Sequence, residues 1–348
     1  MRCVASAIHW SGVVLGVALS SVAGPLGAQP AGTVIVTNMS DATATLVDAA
    51  TGRVVGTLST GVGPHEVAVS HDGRWAVVTN YGNRDALGSS LTVIDVARGA
   101  VDRTLDLSPH TRPHGVAFLP GDSVLAVTSE TGKAVLLVHL PSGTVRRTVS
   151  TMQPVSHMLA LAADGRRAFT SNVTAGTITA LDLVSGAADT IRVARLVEGI
   201  GVRPDGNEVW VGSNAEGTVS VVDPAAGKVV ATIGDFGMPY RIGFTPDGGT
   251  VVVSDPVKGV IRIFASGTRE QLASLPIDRE GIVATTEVEG SPAPEGVALS
   301  RDGRWAFVTL QGKNQVAFVD LGARRVTRTA PTGTWPDGIG FSPVVVAR

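Results

Sequence analysis

Residues 64–80 read PHEVAVSHDGRWAVVTN, and residues 91–105 read LTVIDVARGAVDRTL. These stretches contain four short runs rich in valine, isoleucine and threonine, residues that are typical of β-strands. Asp72-Gly73 separates the first two runs, and a turn that closes on Gly99 separates the last two. Asp-Gly is a preferred sequence for tight hairpin turns. The stretch therefore predicts a sheet of four antiparallel strands.

The same pattern recurs along the chain. If Thr79 marks its position in the first stretch, the equivalent residues in the other copies are Thr37, Thr128, Ser171, Gly212, Ser254 and Thr309. Successive copies are 41 to 55 residues apart, which is close to the length of one four-stranded propeller blade. Seven copies predict an all-β fold, a seven-bladed β-propeller with four antiparallel strands per blade.

The two ends of the chain complement each other. The first copy starts near Thr33 and lacks the innermost strand, whereas residues 336–342 supply such a strand as PDGIGFS. We therefore expect the C-terminal strand to join the N-terminal blade and close the ring. Closure leaves no open sheet edge at the junction.

The innermost strand carries a small residue at one fixed position in every copy. These residues are Ala68, Ala117, Ala160, Gly201, Gly243, Ala298 and Gly340. Because blades crowd together near the central axis, a large side chain at this position would clash with the next blade.

The N-terminus has the features of a secretory signal peptide. Arg2 precedes an apolar run over residues 12–23, and small residues lead to a predicted cleavage after Ala28. The run is too short to span a membrane. We expect residues 1–28 to be removed and residues 29–348 to form one domain in the periplasm or outside the cell, without a membrane span. The single cysteine, Cys3, would be lost with the signal, leaving no disulfide and no thiolate metal site.

The charge balance argues against a nucleic-acid partner. The chain has 28 basic and 30 acidic side chains and a formal net charge of −2. Proteins that bind nucleic acid usually carry a basic surface patch or stripe. None is visible in this sequence.

The run AVVTN at residues 76–80 and its relatives resemble the Tyr-Val-Thr-Asn signature of the YVTN-type propeller repeat. The resemblance covers essentially all of the chain after residue 28. This family and its neighbours include surface and periplasmic proteins, propeller lactonases, lyases, and proteins associated with haem or quinones. The resemblance therefore implies the fold and leaves the function open.

Candidate functional residues follow from the geometry of a propeller. The start of each innermost strand lies on the same face as the loop between the second and third strands. Alignment on the Asp-Gly turns predicts a ring around the channel mouth, formed by His65, His114, His157, Glu198, Tyr240, Glu295 and Asp337. A second polar ring is predicted one residue after the marker, with Asn80 and Asn172 as ligand-binding members and Asn38, Ser129, Ser213 and Asp255 at equivalent positions. The adjoining Tyr81, Glu130, Asn214 and Gln311 are expected to add further hydrogen-bonding groups.

These rings suggest more than one function. The mouth could bind a small polar molecule, a glycan or a protein loop without catalysis. Alternatively, His65, His114 and His157 could hold a divalent transition metal, with Glu198 in support, in a metal-dependent lactonase or lyase. The histidines could also serve only hydrogen bonding and packing. The neighbouring Glu66 is assigned no role, because the His-Glu pair lacks the second histidine of a zinc-protease motif.

Two insertions lengthen the repeat. One covers residues 81–90, between the second and third strands of its blade, and the other covers residues 265–291. Each could be a functional loop or a surface excursion that the fold tolerates.

Overall fold

The structure is a computed structural model that describes residues 29–283 and 288–347. The predicted signal peptide and Cys3 lie outside the described residues. Twenty-eight strands and one short 3-10 helix, Gln311–Lys313, follow one another along the described chain. Within these residues, no helix is long and apolar enough to cross a membrane.

The strands succeed one another in groups of three or four. The first group contains β1 (Thr33–Asn38), β2 (Thr43–Asp48) and β3 (Val54–Ser59). The second contains β4 (Pro64–Val69), β5 (Trp75–Gly82), β6 (Leu87–Asp95) and β7 (Ala100–Asp106). The third contains β8 (Pro113–Phe118), β9 (Val124–Ser129), β10 (Ala134–His139) and β11 (Thr144–Ser150). The fourth contains β12 (Ser156–Leu161), β13 (Arg167–Asn172), β14 (Thr177–Asp182) and β15 (Ala188–Arg192).

The remaining groups follow the same order. The fifth contains β16 (Val197–Val202), β17 (Val209–Ser213), β18 (Thr218–Asp223) and β19 (Lys228–Ile233). The sixth contains β20 (Ile242–Phe244), β21 (Thr250–Asp255), β22 (Val260–Ala265) and β23 (Gln271–Pro276). The seventh contains β24 (Pro294–Leu299), β25 (Trp305–Leu310), β26 (Gln315–Asp320) and β27 (Arg325–Pro331), and the chain ends with β28 (Pro336–Ser342).

The groups form seven four-stranded antiparallel sheets, and the first sheet has the order β28-β1-β2-β3. The last strand pairs with the first, with Val34 opposite Phe341 and Val36 opposite Ile339. The fold is therefore a seven-bladed β-propeller closed by its C-terminal strand, as the sequence predicted. Blades 1 to 7 are numbered by these groups, and β28 belongs to blade 1.

Most of the apolar core lies between adjacent blades. In one cluster, Val77 and Leu91 of blade 2 pack with Leu125 and Val127 of blade 3. Gly340 confirms the predicted need for small residues, because a Cβ atom there would lie 2.9 Å from a methyl carbon of Val67 in the next blade.

The insertion at residues 81–90 mainly lengthens a hairpin. Strand β5 continues to Gly82 and β6 begins at Leu87, so the connecting loop is short. The second insertion contains β23 and the connection from blade 6 to blade 7.

The innermost strands are irregular where they begin. Strand β4 shifts register relative to β5 between Pro64 and Val67, and equivalent shifts occur in blades 1, 3, 4, 5 and 7. Such bulges re-aim side chains. His65 and Glu66 lie within the bulge of β4, so strict strand alternation does not decide where they point.

A hydroxyl group at the marker position hydrogen-bonds to the backbone at these bulges. Thr128 accepts a hydrogen bond from the N–H of Gly115 at 2.8 Å and donates one to the carbonyl of His157 in the next blade at 2.7 Å. Four more hydroxyls at the marker position donate to a backbone carbonyl of the next blade. The pairs are Thr37 with His65, Ser171 with Glu198, Ser254 with Glu295, and Thr309 with Asp337. The marker residue thus fixes the backbone that carries the predicted mouth ring.

Candidate functional site

Three histidines from adjacent blades meet at the start of β4, β8 and β12. The ring centroids of His65 and His114 lie 4.6 Å apart, and those of His114 and His157 lie 3.6 Å apart. The interplanar angles of 37° and 34° make this a tilted stack. The sequence alignment therefore brought together residues that do meet in space.

The stack presents ring faces to ring faces, which does not suit metal binding by the three imidazoles. The Nδ1 of His65 lies 2.6 Å from Asp337 Oδ2, and the Nδ1 of His157 bonds to Glu130. Metal ligation requires imidazole nitrogens that converge on one point. Among the described residues, no group of three or more His, Cys, Asp or Glu side chains is arranged to hold a metal ion.

His157 lies between two carboxylates. Its Nδ1–H donates to Glu130, and its Nε2 lies 3.6 Å from Glu198 Oε1. Burial alone would lower the pKa of His157, but the two carboxylates raise it to about 9. Burial alone would raise the pKa of Glu198, but contacts with His157 and Arg241 lower it to about 2. At neutral pH this cluster therefore holds an imidazolium and two carboxylates.

His114 has very different surroundings. It is 1% exposed, and neither ring nitrogen has a hydrogen-bond partner in the described part of the chain. Burial, with the nearby charges of His157, His65 and Arg241, holds its pKa well below 6.5. His114 is therefore a neutral imidazole with one unused donor and one unused acceptor.

The two asparagines predicted to bind a ligand do not line the cavity at the mouth. Asn80 and Asn172 are buried within their own blades, where the Asn80 amide bonds to Ser90 and Thr92 and the Asn172 amide to Thr177 and Thr179. Their amide groups therefore brace the second and third strands, away from the mouth.

The residues that follow the predicted second ring bond to mouth residues or to one another, and Glu130 bonds to His157. Tyr81 donates to Glu130 at 2.6 Å, Asn214 donates to Glu198 at 2.5 Å, and Gln311 donates to Glu295 at 2.7 Å.

A repeated backbone contact holds the residues that follow the predicted second ring. Val155 has a φ of 49°, and its carbonyl accepts the N–H of Val173 at 3.1 Å. A positive φ is unfavourable for a β-branched residue. Five more residues before an innermost strand have a positive φ and make the equivalent bond, namely Gly63, Arg112, Leu196, Ala293 and Trp335. Strained backbone of this kind clusters at functional sites.

Arg241 is the functional candidate that the sequence did not reveal. Its buried guanidinium binds Glu66 of blade 2 at 2.7 Å and Glu198 of blade 5 at 3.2 Å, and lies 3.9 Å from Asp337 of blade 1. The side chain therefore crosses the channel. Glu66, which had been assigned no role, is its main partner.

One signal in the sequence could have identified this pair. The position after the mouth residue is glycine in four blades, at Gly115, Gly199, Gly296 and Gly338. Arg241 and Glu66 occupy that position in blades 6 and 2. The remaining blade has Met158 there, so Arg241 and Glu66 are the two charged residues at this position, and their opposite charges indicate a contact.

A cavity of ≈ 490 Å³ opens above this network. We call it the mouth site, and it is lined by His65, Tyr81, His114, Glu130, Val155, His157, Val173, Glu198, Met238 and Tyr240. Burial, with carboxylates nearby, raises the pKa of Tyr240 well above 10.0, so its phenol is neutral. Glu295 and Asp337 are buried and do not line the cavity, although they belong to the same ring of residues.

No protein-family model matches the chain, and no curated protein matches it. Among solved structures, the chain is similar to the crystal structure of a functionally unknown protein from Desulfotomaculum acetoxidans DSM 771. The similarity has a TM-score of 0.73 at 14% sequence identity and covers 90% of this chain and 99% of that chain. At this identity the likeness supports the fold alone. Membership of the YVTN-type family stays a prediction.

Proposed function

We propose that the chain is an exported binding protein, located in the periplasm or outside the cell, whose mouth site binds a small polar molecule. The predicted signal peptide supports the location. A propeller fold supports a binding scaffold in general, and concave sites with a few fixed polar groups are where small molecules usually bind.

His114 is the observation that carries the proposal. A buried polar group without a partner costs about 1–3 kcal/mol. Other polar side chains of the cavity bond to one another, as in the contacts of Glu130 with Tyr81 and with His157. Both nitrogens are buried in the stack of rings, so a ligand reaches them only when a neighbouring side chain moves, and a hydrogen bond made there would offset the cost.

The geometry favours binding over the metal-dependent lactonase or lyase suggested by the sequence. His65 and His157 use Nδ1 to bind carboxylates, and the three rings stack. A reaction that required these imidazoles as metal ligands would need a different arrangement of the rings.

A thermal-shift panel of sugars, amino acids, alkylamines and small carboxylates tests the proposal. His114→Phe keeps an aromatic ring in the stack and removes both nitrogens, whereas His139→Ala alters a histidine at the far end of β10. We expect at least one compound to raise the melting temperature of the wild type and of His139→Ala, but not that of His114→Phe. Equal stabilisation of all three proteins, or stabilisation of none, would contradict the proposal.

A further inference from the structure

Carboxylates outnumber cations around the mouth site. Five lie in its walls or directly beneath it, namely Glu66, Glu130, Glu198, Glu295 and Asp337. The cations in contact with them are Arg241, His157 and, where protonated, His65. Arg112 adds one more at the rim, with its guanidinium 4.4 Å from the centroid of the Tyr81 ring. The site is negative even when both histidines are counted as charged.

Three of the five carboxylates are also more accessible than the buried guanidinium. The side chains of Glu66, Glu130 and Glu198 are 12%, 10% and 14% exposed, whereas that of Arg241 is 5% exposed. His157 keeps some exposure, but both of its nitrogens face carboxylates. A ligand that enters the cavity therefore meets carboxylate edges whose lone pairs are not all used, since each carboxylate oxygen can accept two hydrogen bonds.

Aromatic rings at the site already hold cations on their faces. Arg241 lies over the ring of Tyr240 at 4.3 Å from its centroid, and Arg112 lies over the ring of Tyr81. The electron-rich face of a phenol ring attracts a cation. Because these arginines occupy the two ring faces, the preference for a cation rests on the carboxylates.

One part of the cavity wall is apolar. Val155, Val173 and Met238 line it together with the polar residues. This surface would bury a hydrocarbon group and would gain roughly 25 cal/mol for each Å² removed from water. An anionic ligand would lie beside Glu130 and Glu198, where like charges repel.

We propose that the ligand of the mouth site is an organic cation, a protonated amine that carries an apolar group. This inference rests on the proposed function. The ammonium group lies beside Glu130 and Glu198, and the apolar group packs on Val155, Val173 and Met238.

Three compounds of similar size and different charge test the charge preference. They are phenethylamine, which is protonated at pH 7, 2-phenylethanol and 3-phenylpropionate, and isothermal titration measures their binding to the wild type. We expect phenethylamine to bind about tenfold or more tightly than the alcohol, and the acid to bind more weakly than the alcohol. Raising the NaCl concentration from about 20 mM to about 300 mM should weaken the binding of the amine and leave that of the alcohol unchanged, because salt screens charge interactions.

Two matched variants test whether the preference for the amine comes from a carboxylate of the mouth site. Glu130→Gln removes one charge and retains the shape of the side chain, and we expect about a tenfold loss of amine affinity with little change for the alcohol. Asp85→Asn removes a carboxylate from an exposed loop and should change neither affinity. A circular dichroism melt of each variant verifies folding, and the salt titration of the wild type needs no variant.

The outcomes separate the two proposals. If the acid or neutral polar compounds bind more tightly than the amine, and His114→Phe abolishes that binding, the charge preference is overturned and the binding function stands. If no compound of any charge binds in a manner that depends on His114, both proposals fail.

Discussion

His65, His114 and His157 occupy equivalent positions in adjacent blades, yet their surroundings differ. His65 pairs with Asp337, His157 lies between Glu130 and Glu198, and His114 has no partner for either nitrogen among the described residues. Burial holds the pKa of His114 well below 6.5, whereas the carboxylates raise that of His157 to about 9 despite its burial. Neighbouring imidazoles in one stack therefore carry different charges at neutral pH.

The lowered pKa of His114 and the raised pKa of His157 predict that the free energy of unfolding is greatest near pH 6.5. Below this pH the unfolded state protonates His114 and the folded state does not, so the free energy of unfolding falls as the pH falls. Above it the folded state keeps the proton on His157, so this stabilisation, on the order of 3 kcal/mol, is lost as the pH rises to about 9. Urea unfolding at a series of pH values measures the profile.

Two variants show which histidine causes each slope of this pH profile. His157→Gln should flatten it between about pH 6.5 and 9, and His114→Phe should flatten it below about pH 6.5. His110→Ala, on a connecting loop, serves as the control and should leave both slopes unchanged. A wild-type profile that rises steadily to pH 9 would refute the assignment of the proton to His157.

At the scale of the strand, the repeat predicted the hairpins and missed the bulges. The alternation of apolar residues and the Asp-Gly turns are local signals, and they predict strands such as β4 and β5 well. The bulge at the start of β8 depends on a hydroxyl of β9 that bonds both to Gly115 and to the next blade at His157. Such a contact involves two blades, so a single copy of the repeat does not reveal it.

The inter-blade hydroxyl should contribute measurably to stability. Thr309→Val keeps the shape of the side chain but leaves the N–H of Gly296 and the carbonyl of Asp337 without their bonds, of 2.7 Å and 2.9 Å. We expect a loss of about 1–3 kcal/mol in the free energy of unfolding. Thr57→Val, at an exposed position on β3, is the control and should be close to neutral.

Denaturant titration decides between the two residues. The midpoint should fall for Thr309→Val without a change in slope. If both variants unfold at the wild-type midpoint, the hydroxyl at the marker position does not hold the blades together.

At the scale of the whole molecule, closure of the ring brings distant residues to one mouth. The sequence predicted closure because the missing strand of blade 1 was visible at the other end of the chain. It predicted the positions of His65, His114 and His157 because the period aligns equivalent residues. It did not predict the bridge from Arg241 to Glu66, because a period does not tell which side chains reach across the axis.

Two truncations test the importance of closure. A chain that ends at Trp335 lacks β28 and exposes the edge of β1, whereas a chain that ends at Ser342 keeps β28 and loses the segment beyond it. We expect the first to aggregate or to unfold at a much lower urea concentration, because open sheet edges promote association. The second should remain folded and in the oligomeric state of the full chain, with a modest loss of stability. A first variant that is as stable as the full chain and does not associate further would show that closure is dispensable.

The state of His114 tests the account of the mouth site most directly. Imidazole ¹⁵N spectra of the wild type, assigned with His114→Phe, report the protonation of each ring and its contact with a ligand. We predict that His114 stays neutral as the pH falls below 6.5, and that its signals shift when the compound that most stabilises the protein is added, while those of His139 do not. An imidazole at position 114 that titrates near 6.5 and does not respond to that compound would contradict the account.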